Sequence, residues 1–319
     1  MIKTEIKPGD QLDHYRIDAV ISSSGATTVF RALDLRTKMP VAIKLPQPEM
    51  KNDPTFLERF QREEEIERNL EHPGILKAVL DDRRSHMYHV TEWFQGDTLR
   101  QALAARVISK ERGIRIAITI CNVLSHLHDH GIAHRNLKPE NILVDSHDNV
   151  KLISFGAAGQ VGAKRITFAN VAQLVGMTAY IPPEEIEGKR GDTRGDIYAL
   201  GVILYEILTG RTPYEGTTIR EWSTKSPTPP RAIDSEISPQ LQEVIFRATE
   251  SDPRQRYGNA HKLAYDLSHL ESVQVAEREM ILRRRTTIAP RKRRLALFLA
   301  IGLPPLLLFA LLLYIARHS

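Results

Sequence analysis

Strand-like and helix-like stretches are segregated along this chain, and that order constrains the fold more than any single residue does. Residues 15–21 and 29–33 read as strands around a small-residue turn, and residues 41–44 as a third strand. Residues 55–70 place Phe56, Phe60, Ile66 and Leu70 at helical spacings with charged residues on the other face, which predicts an amphipathic helix. Beyond Gly96 the pattern is helical, over residues 99–104, 112–130, 196–208 and 241–248. Strands followed by helices predict an α+β chain in which a small β-rich lobe precedes a larger helical one.

With 319 residues, 42% of them hydrophobic, the chain can bury a sizeable core. Its one cysteine, Cys121, excludes an intramolecular disulfide and a cysteine-rich metal cluster, and its apolar helical surroundings assign it to the core. The net charge is +5, but residues 283–294 hold Arg283, Arg284, Arg285, Arg291, Lys292, Arg293 and Arg294. Setting aside those seven and Arg317, eight positive charges, leaves −3 for the remainder. A mildly acidic globular part argues against a nucleic-acid groove.

The basic run abuts residues 295–316, an uncharged apolar stretch of 22 residues. As a helix it would reach roughly 33 Å, enough to cross a bilayer core. Gly302 and Pro304-Pro305 interrupt it, which a kinked span tolerates; a re-entrant or surface-lying segment is the alternative. Cations on its N-terminal side predict a single pass with the preceding domain in the cytoplasm, at a bacterial inner membrane. The short tail 317–319 leaves no room for an external sensor, and the first residues lack the apolar core of a secretory signal. Residues 283–294 read as a stop-transfer flank that can also hold anionic lipid, at about 1 kcal/mol per cation.

The chemistry-bearing motifs lie between these regions. His134-Arg135-Asn136-Leu137-Lys138-Pro139-Glu140-Asn141 is followed by Ser154-Phe155-Gly156. Around them stand Val41-Ala42-Ile43-Lys44, Glu71-His72-Pro73-Gly74-Ile75, Pro182-Pro183-Glu184, Asp196-Ile197-Tyr198-Ala199-Leu200-Gly201 and Asp252-Pro253-Arg254-Gln255-Arg256. In this order the motifs resemble the Ser/Thr protein kinases, and most closely the eukaryotic-like kinases of bacteria. The resemblance implies a two-lobed kinase fold: an extension at 1–14, an N-lobe and hinge at 15–94, a C-lobe at 95–272, a basic juxtamembrane linker at 273–294, the span 295–316 and the tail 317–319.

It also implies roles, residue by residue. Lys44 would contact the α and β phosphates of ATP and pair with Glu63; Asn141 would bind a second magnesium, and Lys138 would lie near the transferred phosphate. Adenine would lie between Val29 and Ala42 above and Leu143 below, with Glu92 to Phe94 as the hinge and Thr91 at the back of the pocket. Glu184 and Arg256 resemble an architectural ion pair, and Asp196 a brace for the catalytic loop.

Other positions depart from the family. The expected Gly-x-Gly-x-x-Gly reads Ser22-Ser23-Ser24-Gly25-Ala26-Thr27, which forfeits the close approach of backbone N–H groups to phosphate. Asn136 stands where the general base would be, a role worth roughly 10²- to 10⁴-fold in rate. Ser154 replaces the carboxylate that would hold magnesium, so magnesium binding is expected to be weak or absent, with Asn141 the one candidate ligand. Met177 stands where a threonine would contact the catalytic aspartate and lysine. Four separate losses point to a pseudokinase.

His126, His128, His130 and His134 cluster in sequence, but 126, 128 and 130 alternate around a helix, so no metal site is expected. Thr167, within the activation segment between Ser154 and Glu184, is an exposed loop threonine or a target of another kinase, with Arg135 as receiver of its phosphate. The expected function is that of a membrane-anchored signalling scaffold or regulator that keeps a slot for ATP. Its partner would be an active kinase, a substrate or a cell-envelope factor. The alternatives are a weak Ser/Thr kinase or nucleotidyl transferase working through Lys138 and Asn141, and a metal-independent nucleotide sensor.

Overall fold

The computed structural model describes residues 6–79, 83–160, 178–189, 191–214, 227–276 and 317. The first half of the N-terminal lobe is a five-stranded antiparallel sheet in sequential order, β1 (Gln11–Leu12), β2 (Tyr15–Ser23), β3 (Thr27–Asp34), β4 (Pro40–Pro46) and β5 (His89–Glu92). Strand alternation gives it a core of its own, with Tyr15, Ile17, Phe30, Ala32, Val41, Ile43, Tyr88 and Val90 all buried. A helix, α1 (Pro54–Asn69), interrupts the sheet between β4 and β5. Asp53 caps it, accepting from the Thr55 and Phe56 amides, and Pro54 opens it with a preset φ. Its buried positions are Phe60, Glu63, Ile66 and Glu67, so two of its acids face inward rather than toward solvent.

A small sheet of β6 (Asp97–Thr98), β8 (Ile142–Val144) and β9 (Val150–Leu152) begins the second lobe, together with the pair β7 (Ile132–Ala133) and β10 (Gly159–Gln160). The rest is helical: α2 (Leu99–Ala104), α3 (Lys110–Asp129), α4 (Pro183–Ile186), α5 (Arg194–Thr209), α6 (Pro230–Ile233), α7 (Pro239–Ala248) and α8 (Ala260–Ser268). Helix α5 is buried along almost its whole length, and α3 and α7 pack against it, so its apolar residues run all round rather than along one stripe. It ends at Gly210, whose φ of 74° lies in the left-handed region that glycine adopts without a Cβ clash.

The helix predicted at 99–104 is met at both ends, whereas the other four start one or two residues earlier than predicted, because the caps lie outside the periodic stretch. Ser109 accepts from the Arg112 amide and starts α3 at Lys110; Ser238 accepts from the Leu241 amide and starts α7 at Pro239. Cys121 is buried on α3 as expected, and burial pushes its thiol well above the ordinary range.

Gly113 marks the closest approach of α3 to α5: a Cβ there would stand 2.2 Å from Ile207 Cγ2. Gly113→Ala is therefore expected to destabilise the domain by about 1–3 kcal/mol, despite the better helix propensity of alanine. A urea midpoint equal to or above that of the parent would refute this.

Residues 6–273 form one compact unit, and 274–319 a second of which only 274–276 and 317 are described. The stretch 295–316, expected to span a membrane, and the basic run 283–294 lie outside the described residues. Among the described residues no helix is long and apolar enough to cross a membrane.

Candidate functional site

The cleft between the lobes is built from both ends of the sheet. Antiparallel register sets Val29 opposite Lys44 and Ala42 opposite Thr91, which puts these four on one face. Val29, Ala42 and, on β8, Leu143 are only partly buried, whereas their strand neighbours Phe30, Val41, Ile43, Ile142 and Val144 are buried in the cores. These three apolar side chains therefore face an open space. Lys44 Nζ lies 2.8 and 2.7 Å from the two carboxylate oxygens of Glu63, so α1 is docked with the expected pair formed and largely shielded from water.

The hinge leaves β5 at Glu92. Its carboxylate receives Lys151 Nζ at 2.5 Å and the Lys77 amide at 3.1 Å, and its own amide donates to the Lys77 carbonyl at 2.9 Å, so this residue is spent on the fold. Among the described residues nothing hydrogen-bonds the Phe94 amide. Gly96 follows where a Cβ would stand 2.6 Å from the Val144 carbonyl oxygen, so the chain passes here only without a side chain.

The serine-rich loop between β2 and β3 turns its polar groups inward. Ser24 Oγ accepts from the amides of Ala26 and Thr27 at 3.3 and 3.1 Å, and the Ser24 amide donates to the Thr27 carbonyl at 2.9 Å. Gln47, at the end of β4, clamps it from below: its Nε2 donates to the Ser24 carbonyl and Thr28 Oγ1, and its amide to the Ala26 carbonyl. Amides that a glycine-rich loop would aim at phosphate are thus used within the turn. Gln47 was not singled out from sequence, since its role depends on the hairpin folding back over it.

Across the cleft, Asn141 is buried and its Nδ2 donates to the Asn136 carbonyl at 2.7 Å, which leaves its carbonyl oxygen as a metal ligand. The Asn136 side chain has no hydrogen-bond partner among the described residues. Burial pushes the Lys138 ammonium below its ordinary pKa, with Glu140 opposing. A cavity of about 380 Å³ separates Ser24 and Ala26 above from Arg135, Asn136, Lys138 and Tyr180 below.

Ser154 has φ 69° and ψ 53°, and Arg135 φ 59°. A left-handed conformation costs a non-glycine residue roughly 1–2 kcal/mol, and here it turns Phe155 under α1 and against the His134 ring, with centroids 4.9 Å apart. Asp196 supports that corner from the start of α5. Its oxygens accept the His134 and Arg135 amides, both at 2.8 Å, and meet His128 Nε2 at 2.9 Å. Burial alone would raise the Asp196 pKa, but His128 and these amides hold it below the carboxylate range. Glu184 and Arg256 form the expected bidentate pair, at 2.7 Å on both arms. Lys164, Arg165, Thr167 and Met177 lie outside the described residues.

One sequence-based expectation is overturned. His126 and His130 do meet, at 4.5 Å between centroids, because positions four apart share a helix face; the His72 ring lies tilted against His126 at 4.9 Å. Among the described residues no group of side chains could hold a metal. Burial, and next the neighbouring imidazole, depress the pKa of both His72 and His126 below 6.5. The unfolded chain therefore binds protons first, and stability is complete above pH 6.5 and declines as pH falls through and below it. The denaturation midpoint of the parent is expected to drop between about pH 7 and 5, and that drop to shrink in His72→Gln; equal drops in both would exclude this contact as its source.

Residues 15–267 match the family described as protein kinase domain. This chain belongs to that family. The kinase domain is 34% identical over 273 residues to the probable serine/threonine-protein kinase PknB of Corynebacterium glutamicum, covering 81% of this chain and 42% of that protein. It is 32% identical over 281 residues to PknB of Mycolicibacterium smegmatis, covering 85% and 45%. The chain thus spans less than half the length of these curated relatives. Among solved structures, the kinase domain of Mycobacterium tuberculosis PknI superposes with a TM-score of 0.65 at 22% identity, covering 83% of this chain and 100% of that one, a likeness of fold. Kinase domains in general use ATP with magnesium, and this kinase domain keeps the lysine, its glutamate and the adenine walls of such a site while both acidic positions are neutral.

Proposed function

We propose that this kinase domain is a pseudokinase, tethered to the membrane by residues 295–316, which holds ATP without magnesium and acts by binding a protein partner. The observation that carries this reading is the neutral pair Asn136 and Ser154 set within a kinase fold whose Lys44–Glu63, Asp196 and Glu184–Arg256 contacts are all engaged. ATP fits the residues present: Val29, Ala42 and Leu143 offer apolar walls, and the Phe94 amide a donor at the hinge. Magnesium fits poorly, because at the two positions where the family pattern places its ligands stand the Asn141 amide and the Ser154 hydroxyl, neither of them charged.

Without a carboxylate at 136 no group takes the proton from an acceptor hydroxyl, and without one at 154 the charge between β and γ phosphates is not neutralised. Lys138 and Arg135 line the cavity and offer cations to a triphosphate, beside the acids Glu185 and Asp196. The basic residues 283–294 support orientation toward the cytoplasm and contact with anionic lipid. The partner is an active kinase, a substrate or an envelope factor.

The intact Lys44–Glu63 pair favours a second reading, a weak kinase or nucleotidyl transferase. Purified protein incubated with ATP labelled at the γ or α phosphate separates the two. No label above that of Lys44→Ala supports the scaffold; label that Lys44→Ala abolishes establishes the enzyme.

A further inference from the structure

Helix α1 is held to the rest of the N-terminal lobe by three acid–base pairs, from Glu63, Glu64 and Glu67. Glu63 takes Lys44 of β4, and Glu64 Oε1 takes Arg84 Nη2 at 2.5 Å, from the segment leading into β5. Glu67, one turn beyond Glu63, meets His89 of β5, Oε2 to Nε2, at 2.9 Å. The third pair differs in kind. Both of its side chains are only 2% exposed, whereas Lys44 and Arg84 reach solvent. The two atoms meet at hydrogen-bonding distance but off the N–H direction, and neither has another hydrogen-bond partner among the described residues. The edge of the Phe60 ring packs against the imidazole with centroids 6.3 Å apart.

We infer that Glu67 and His89 form a proton-dependent latch: the docked helix keeps one proton in this pair, and losing it releases α1 and with it the Lys44–Glu63 contact. An ionised Glu67 beside a neutral His89 would be a buried anion next to Glu63, which a low-dielectric interior disfavours. With one proton present, on either partner, the pair is neutral overall. Burial holds the Glu67 carboxyl above its ordinary range, with His89 pulling the other way. The other charged groups facing the pair are Glu63 and Glu64 on α1 itself, Lys44 from β4 and Arg84. The Phe155–Ala157 turn that also packs on α1 has no ionisable side chain.

The direction of the pH effect follows from counting protons. In an undocked helix a free carboxyl and imidazole retain one proton below about pH 6.5 and none above it. The docked pair retains its proton to higher pH, so docking takes up a proton above that point and weakens as pH rises. Below it both states hold one proton and docking is indifferent to pH. This conclusion stands whether or not the cleft binds nucleotide.

Hydrogen exchange of the α1 amides in the full chain, divided by intrinsic rates, tests it from about pH 5.5 to 8.5. The opening constant of α1 is expected to be level below about 6.5 and to rise up to about tenfold per pH unit above it, while α5 stays level. In Glu67→Leu/His89→Leu, where two apolar residues replace the pair, the rise should vanish. In Glu67→Gln it should vanish or reverse, because only the imidazole then titrates. A flat parent profile overturns the latch even if no variant folds, and so does an equal rise in parent and double variant.

Discussion

Replacing Arg256 with methionine is expected to lower the unfolding free energy by about 3–5 kcal/mol, a large share of the roughly 5–15 kcal/mol that holds a domain together. The guanidinium is fully buried and uses every face: two arms on Glu184, Nε on the Glu250 carbonyl at 2.7 Å, further bonds to the Arg194 and Ser251 carbonyls, and its plane 4.9 Å from the Tyr198 ring. Methionine fills much of the volume but leaves the Glu184 carboxylate buried without its counter-ion and removes a donor from the Glu250, Arg194 and Ser251 carbonyls. Arg256→Lys should recover little, since an ammonium cannot reproduce the fork. Arg256→Met/Glu184→Gln should recover part of the loss by removing the stranded charge. Urea denaturation measures all three, and a loss below about 1 kcal/mol in the methionine variant would mean that the pair is not what ties the Pro-Pro-Glu corner to the lower lobe.

Returning a carboxylate to position 154 is expected to convert ATP binding from metal-indifferent to metal-dependent. Ser154 already holds the left-handed backbone that aspartate tolerates better than most residues, so Ser154→Asp should not disturb the turn that seats Phe155. The introduced anion together with the Asn141 carbonyl oxygen would give magnesium a charged ligand and a neutral one. The thermal shift caused by ATP should be the same with magnesium or chelator in the parent, whereas in the variant magnesium should tighten ATP at least about tenfold. Adding Asn136→Asp supplies the missing base and should raise phosphate transfer by roughly 10²- to 10⁴-fold over the single variant. A chelator-sensitive shift in the parent would sink the metal-free reading. Retention of metal indifference in Ser154→Asp would show that the inward-turned serine loop, rather than the lost carboxylate, excludes the ion.

Much of the site was legible because its chemistry is carried by residue identity at fixed spacing. The neutral side chains at 136 and 154, the missing glycines and the survival of Lys44, Asn141 and Asp196 are facts of sequence, and the fold pairs Lys44 with Glu63 and sets Asn136 and Asp196 in one cavity. The two lobes were legible as well, since alternation in β2 to β4 and the 3.6-residue period in α3 and α7 reflect burial on one face, and the unbroken apolar run of α5 burial on all. Less legible were the short strands β6 to β10, at two or three residues each too brief for any periodicity to show.

What the sequence by itself determined, then, is which side chains stand at the motif positions: Lys44, Asn141 and Asp196 are kept, and Asn136 and Ser154 carry no carboxylate. What only the tertiary structure decided is the fate of charges that local pattern assigns to solvent. Glu67 lies in a run of acids that reads as a wetted helix face, and nothing in the sequence singles out His89; their contact joins residues 22 positions apart. Gln47 and the His72–His126 contact are of the same kind. Helical and strand periods report which residues share a face, but not which element will cover that face. The free energy of an ionisable group is set by that covering, through the water it removes and the counter-charge it brings.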